Sequence, residues 1–153
     1  MSRKARWFST ILFSLLLIIY VTPWLLYSHY IDEVRELPTP SQLELTTEQR
    51  LLVWEEFGGL GEPSMVAMSP WSWMFHFFKM ASNESMYMEA PGSHHAGVLA
   101  LRHMKVQISD GSRVSDWHMV NIVLTIWISR NLQIDDVLSQ LFQFYPELFT
   151  DDT

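Results

Sequence analysis

Residues 7–27 read WFSTILFSLLLIIYVTPWLLY, an apolar run without one charged side chain. A helix needs about 20 such residues to cross the hydrocarbon core of a bilayer, and this run meets that length. Arg3, Lys4 and Arg6 precede it, and the first acids, Asp32 and Glu33, follow it. Basic flanks stay in the cytoplasm. The expected topology is therefore a cytoplasmic N-terminus over 1–6, an anchor over 7–30, and everything beyond on the periplasmic side of an inner membrane. Trp7 at one end, with Trp24, Tyr27 and Tyr30 at the other, suit the headgroup layer. Pro23 falls near the outer end, where water can replace the helical hydrogen bond that proline removes. A cleaved signal peptide shares the basic start and apolar centre but ends at a small-residue site. The bulky neighbours of Thr22 and Ser28 offer none, which favours an uncleaved single-pass anchor.

Beyond the anchor, residues 31–45 mix charge with Pro38 and Pro40, the composition of a semi-rigid extended spacer. The rest, 46–148, reads as a small helical domain with an acidic tail at 149–153. Thr46 and Gln49 form a capping-box pattern for a helix that stops at Gly58-Gly59. Ser69-Pro70 reads as N-cap and first position of a helix over 70–81, apolar nearly all round. Such a helix is buried in a core or docked on a membrane, and it is too short to span one. Ser93 is the expected cap of a helix to about Val106. Ser115 opens the most apolar one, DWHMVNIVLTIWISRN (116–131), the expected centre of the domain, with Asn131 as a left-handed terminator. A last helix, DDVLSQLFQFY, runs up to Pro146. No alternating pattern competes with these periods, so the fold class is all-α.

The chain of 153 residues has room for one domain beside the membrane segment. Its 48% hydrophobic and 14% aromatic content argues for a packed core. After residue 30, seven bases face all 17 acids, so that part carries −10. A surface of that sign repels phosphate backbones, and nucleic acid is excluded as a partner. The absence of cysteine excludes disulfides, thiolate metal sites and a cysteine nucleophile.

The stretch Leu124 to Gln143, LTIWISRNLQIDDVLSQLFQ, places an apolar helix, a short turn, the acidic pair Asp135-Asp136, Val137-Leu138 and a closing helix in succession. In this it resembles the bacterial peptidoglycan glycosyltransferases. Those cell-wall polymerases also have a basic start, one membrane helix, a Leu-Pro-containing spacer and an α-helical, lysozyme-like domain. The resemblance implies a place in cell-wall metabolism, with a lipid-linked glycan or another membrane protein as partner. It also locates candidate site residues. The family's first motif, E-D-x-x-F-x-x-H-x-G, supplies a general base, and Glu55 and Glu56 of Glu55-Glu56-Phe57-Gly58-Gly59 stand nearest to it, without the following His. The second, G-G-S-T, would fall near Ala96 to Arg102, where nothing matches. The third, R-K-x-x-E, falls on Trp117, His118, Met119, Val120 and Asn121, so that His118 replaces Lys and a neutral amide replaces the acid. Glu55 and Glu56 are thus the candidate catalytic acids, and Arg102, His118 and Asn121 the candidate ligand contacts. The altered motifs imply a degenerate relative that binds without catalysis; if active, it would transfer glycosyl units from a lipid-linked disaccharide.

The residues themselves allow two further readings. Thioethers and imidazoles bind soft metals. Met65, Met68, Met86, Met88, His94 and His95 fall in or beside expected loops, and Met86, Met88 and a histidine of the His94-His95 pair could surround one ion. Methionine is equally a filler of aromatic cores, and the spacing lacks the specificity of a zinc site. No metal or cofactor is assigned. The third possibility is an interaction subunit of a membrane complex, using the apolar faces of helices 70–81 and 116–130.

Overall fold

The computed structural model describes residues 3–74, 91–107 and 114–149. These residues are helical with no strand among them. The elements in order are α1 (Arg3–Asp32), α2 (Thr47–Glu56), α3 (described over 70–74), α4 (Ser93–Gln107), α5 (Val114–Asn131) and α6 (Ile134–Phe144). A single 3-10 turn, Pro146–Leu148, follows. Residues 75–90 and 150–153 lie outside the described part, as do the rest of the helix expected over 70–81 and the tip of the acidic tail.

α1 contains the apolar run, and its segment Arg6–Asp32 is long and apolar enough to cross a membrane, with a mean hydropathy of 2.0. Its side chains from Arg6 to Tyr20 are all exposed, which suits an apolar solvent and is the opposite of a core helix. The chain thus has one N-terminal helix compatible with a single-pass anchor.

The domain is built around α4 and α5, which pack along one another. Gly97 of α4 faces Thr125 of α5 with room to spare, since a Cβ there would make only ordinary contact at 3.9 Å. Leu99, Ala100 and Met104 of α4 meet Leu124 and Ile128 of α5 in a core that excludes water. α6 covers it with Val137, Leu138 and Leu141, spaced so that all three share one helical face. α2 adds Val53 and Trp54.

Helix ends follow local chemistry. Thr46 Oγ1 accepts from the Gln49 amide at 3.2 Å, and the Gln49 side chain accepts from the Thr46 amide at 2.9 Å, completing the capping box. α2 closes as a Schellman turn: Gly59 N–H donates to Trp54 O, Gly58 N–H to Glu55 O, and Gly58 takes φ 80°. Ser69 caps α3 by accepting from the Ser72 amide at 3.0 Å, and Pro70 takes the first helical position.

Three expected ends differ. Gly92, at φ 74°, rather than Ser93, precedes α4, and its carbonyl accepts the first amide, from Ala96. Its lack of a side chain matters, because a Cβ would lie 2.6 Å from Ser64 O. α5 begins at Val114, ahead of Ser115. Asn131 is not left-handed, since no described residue other than glycine has positive φ. Its side-chain Nδ2 donates instead to Trp127 O at 2.8 Å, and α6 starts almost at once.

The spacer is extended, as its prolines require, and it is bound along its length. Pro38 is buried, and Val34, Leu37 and Leu45 pack on the core.

Candidate functional site

Glu55 and Glu56 occupy the last turn of α2, and both are exposed. Arg102 is half-buried on α4; its guanidinium lies 5.4 Å over the Phe144 ring, and its Nε is buried without a partner. His118 is exposed on α5, edge-on to Trp117 at 5.0 Å. Asn121 lies one turn further along, with Oδ1 buried and unpaired while its backbone carbonyl accepts from Thr125 Oγ1 at 2.8 Å. Among the described residues, no hydrogen bond or ion pair joins any two of these five side chains. Ala96, Leu99 and Ala100, where a second motif would fall, are fully buried core residues.

The acidic pair that anchors the family resemblance has a visible structural task. Asp136 accepts from Ser41 N–H at 3.2 Å and from Gln133 N–H at 2.9 Å. Asp135 pairs with Arg50 at 2.6 Å. Gln140 and Gln143 add bonds to Thr39 O and Ser41 Oγ, both at 3.0 Å. Together they fasten the spacer and α2 to α6. A cleft of about 360 Å³ remains between these elements, bordered by Arg50, Asp135, Asp136 and Ser139 and by Leu43 and Leu45.

Of the metal-ligand candidates, Met86 and Met88 lie outside the described residues. Met68 is buried in the core and Met65 packs against it. His94 is exposed. His95 is buried, its ring stacked 4.2 Å from the Trp54 indole at 11°. Its Nε2 is 3.0 Å from Trp54 O, an acceptor, so Nε2 carries the proton. Burial pushes the His95 pKa below its ordinary value; the bond to Trp54 O opposes this, and His94 adds to it. His95 Nδ1 and Trp54 Nε1 are both buried without partners. No group of three or more acidic or histidine side chains among the described residues is placed to hold a metal.

At the other side of the domain, α3 and α5 lie against α1. Trp71 Nε1 donates to Tyr20 O at 3.1 Å, and the two rings stack at 6.2 Å. Pro23 cannot donate to the carbonyl of Ile19, so the helix is already weakened here, and Trp71 engages the next carbonyl along. Arg130, at the end of α5, lies 5.4 Å over the Trp24 ring and donates to Met68 O at 3.2 Å. Between the helices is an apolar groove of about 180 Å³.

No sequence pattern signals the Trp54–His95 stack, which joins residues far apart in the chain, or the seat on α1. Only the aromatic surplus of 71–78 hinted at the latter. Comparison with family models, with curated proteins and with solved structures finds no match to this chain.

Proposed function

We propose that this chain is a single-pass inner-membrane protein, with its N-terminus in the cytoplasm and its helical domain in the periplasm, that serves peptidoglycan metabolism. In this reading it is a non-catalytic relative of the glycosyltransferases that binds a lipid-linked glycan. The observation that carries it is the seat of α3 and α5 on α1, through Trp71 on Tyr20 and Arg130 on Trp24. With Trp24 in the headgroup layer, as the proposed topology has it, a domain held on that ring would sit where the sugar of a lipid-linked glycan leaves the bilayer.

Transfer from a pyrophosphate leaving group needs a base at the acceptor hydroxyl and positive charge at the departing oxygen. No ion pair joins Glu55 or Glu56 to Arg102 or His118 among the described residues, Arg102 lies over the Phe144 ring, and Asn121 carries no charge. These placements support binding without transfer. The test is purified full-length chain with labelled lipid-linked disaccharide: the expected result is retention of the lipid without polymer. Chain growth abolished by Glu55→Gln or Glu56→Gln would overturn the reading and identify the base. Reporter fusions at Thr153 check the topology, and a cytoplasmic C-terminus would refute it.

A second reading, an interaction subunit, is favoured by Leu51 and Leu52 on the open side of α2 and by Leu60, which is 92% exposed. Loss of a defined membrane-protein contact in Leu52→Ser plus Leu60→Ser, with glycan binding unchanged, would establish it.

A further inference from the structure

The groove between α1 and α5 has walls of carbon: Pro23, Leu26 and Tyr27 from α1, Trp73 and Met74 from α3, and Ile122 among others from α5. An open apolar groove of this kind gains by being covered with apolar atoms in place of water. One wall belongs to the helix that reads as the membrane anchor, and the preceding side chains, Arg6 to Tyr20, are exposed throughout. If α1 spans the bilayer, lipid chains solvate that surface, and the groove continues it upward. The inference rests on this anchoring.

Charge identifies the lipid. The part beyond residue 30 carries −10 and repels anionic headgroups in general. Arg130 is an exception at this place: it is exposed, fixed over Trp24, and held by its bond to Met68 O. A guanidinium has five N–H donors, so others remain for a phosphate.

We infer that the groove takes one acyl chain of an anionic glycerophospholipid from the surrounding bilayer, with the lipid's phosphate at Arg130. The occupant is a bilayer lipid, distinct from the glycan proposed above, and it fastens the domain to its own anchor.

The test uses the full-length chain in nanodiscs that contain phosphatidylglycerol with a photoactivatable acyl chain, with phosphatidylcholine carrying the same chain as control. Cross-links are mapped by peptide. The expected result is labelling of Ile122 and Ile126 or of Trp73 and Met74, besides α1. Leu26→Trp fills the groove from a wall that is 44% exposed, so the fold tolerates it. It should remove labelling of α3 and α5 and leave that of residues 7–20. Arg130→Gln should lower the preference for the anionic lipid about fivefold, the weight of one basic side chain at an anionic surface. Cross-links confined to α1, or unchanged in Leu26→Trp, would overturn the groove assignment while leaving the anchor intact. Equal labelling by both lipids, indifferent to Arg130→Gln, would overturn the headgroup assignment. No labelling of α1 at all would overturn the anchor and the inference with it.

Discussion

His95 takes up one side of the Trp54 indole, and Gly59 takes up another so closely that a Cβ there would overlap the ring. Burial disfavours the charged imidazole, because a proton on Nδ1 would find no acceptor there. This gives stability a definite pH dependence. The unfolded His95 has the ordinary value of 6.5, and the folded one lies below it. As pH falls through 6.5, the unfolded chain takes up the proton first, and stability declines until the folded pKa is passed; above 6.5 the full contribution is present. The melting temperature of the wild type should therefore drop on acidification more than that of His95→Phe. Phenylalanine keeps the stack, and Trp54 O retains Gly59 N–H, so the substitution itself costs only about 1 kcal/mol at neutral pH. A steeper acid decline in His95→Phe would contradict this account. Nothing local in SHHAGV distinguishes His95 from His94. The two differ only in which side of α4 faces α2, and that is a fact of packing.

At the scale of the element, α6 shows how one pair of like residues divides its work. Asp136 receives two backbone amides, one from its own helix start and one from the spacer, whereas Asp135 holds a partly exposed ion pair with Arg50. Exposed pairs contribute about 0–1 kcal/mol, while a cap that also satisfies a second amide contributes more. Asp136→Ala should cost about 2 kcal/mol by denaturant unfolding, and Asp135→Ala about 0.5. Equal costs would show that the spacer is not held by this carboxylate. The helices were legible because their signals are local: Thr46 with Gln49, Ser69 with Pro70, Gly58 after Phe57. The ends at Gly92 and Asn131 were not, since tertiary contact decides them. Gly92 is required by the closeness of Ser64, and Asn131 gives way to the immediate start of α6. The candidate site residues came from motif order, which assigns positions along the chain but no distances between helices.

For the whole molecule, the decisive contact is between domain and anchor. Tyr20, which receives Trp71, lies about 18 Å along α1 from its end at Asp32. Removing α1 would uncover Pro70, Trp73, Met74 and Ile122 together. A fragment of residues 31–153 is therefore expected to bind liposomes or self-associate in sedimentation experiments, and Trp73→Ser should weaken either behaviour. A monomer that ignores lipid would show that α1 covers nothing essential. The proline content of residues 31–45 suggested a semi-rigid spacer that keeps the domain near the bilayer. With Ser41, Thr39 and Pro38 fixed to the domain, this segment has little slack to pay out. If α1 spans a bilayer, a domain without a slack tether would have little reach above it. Its encounters would then be confined to a plane, a search in two dimensions, and whatever it captured would have to arrive by lateral drift or be lowered to it.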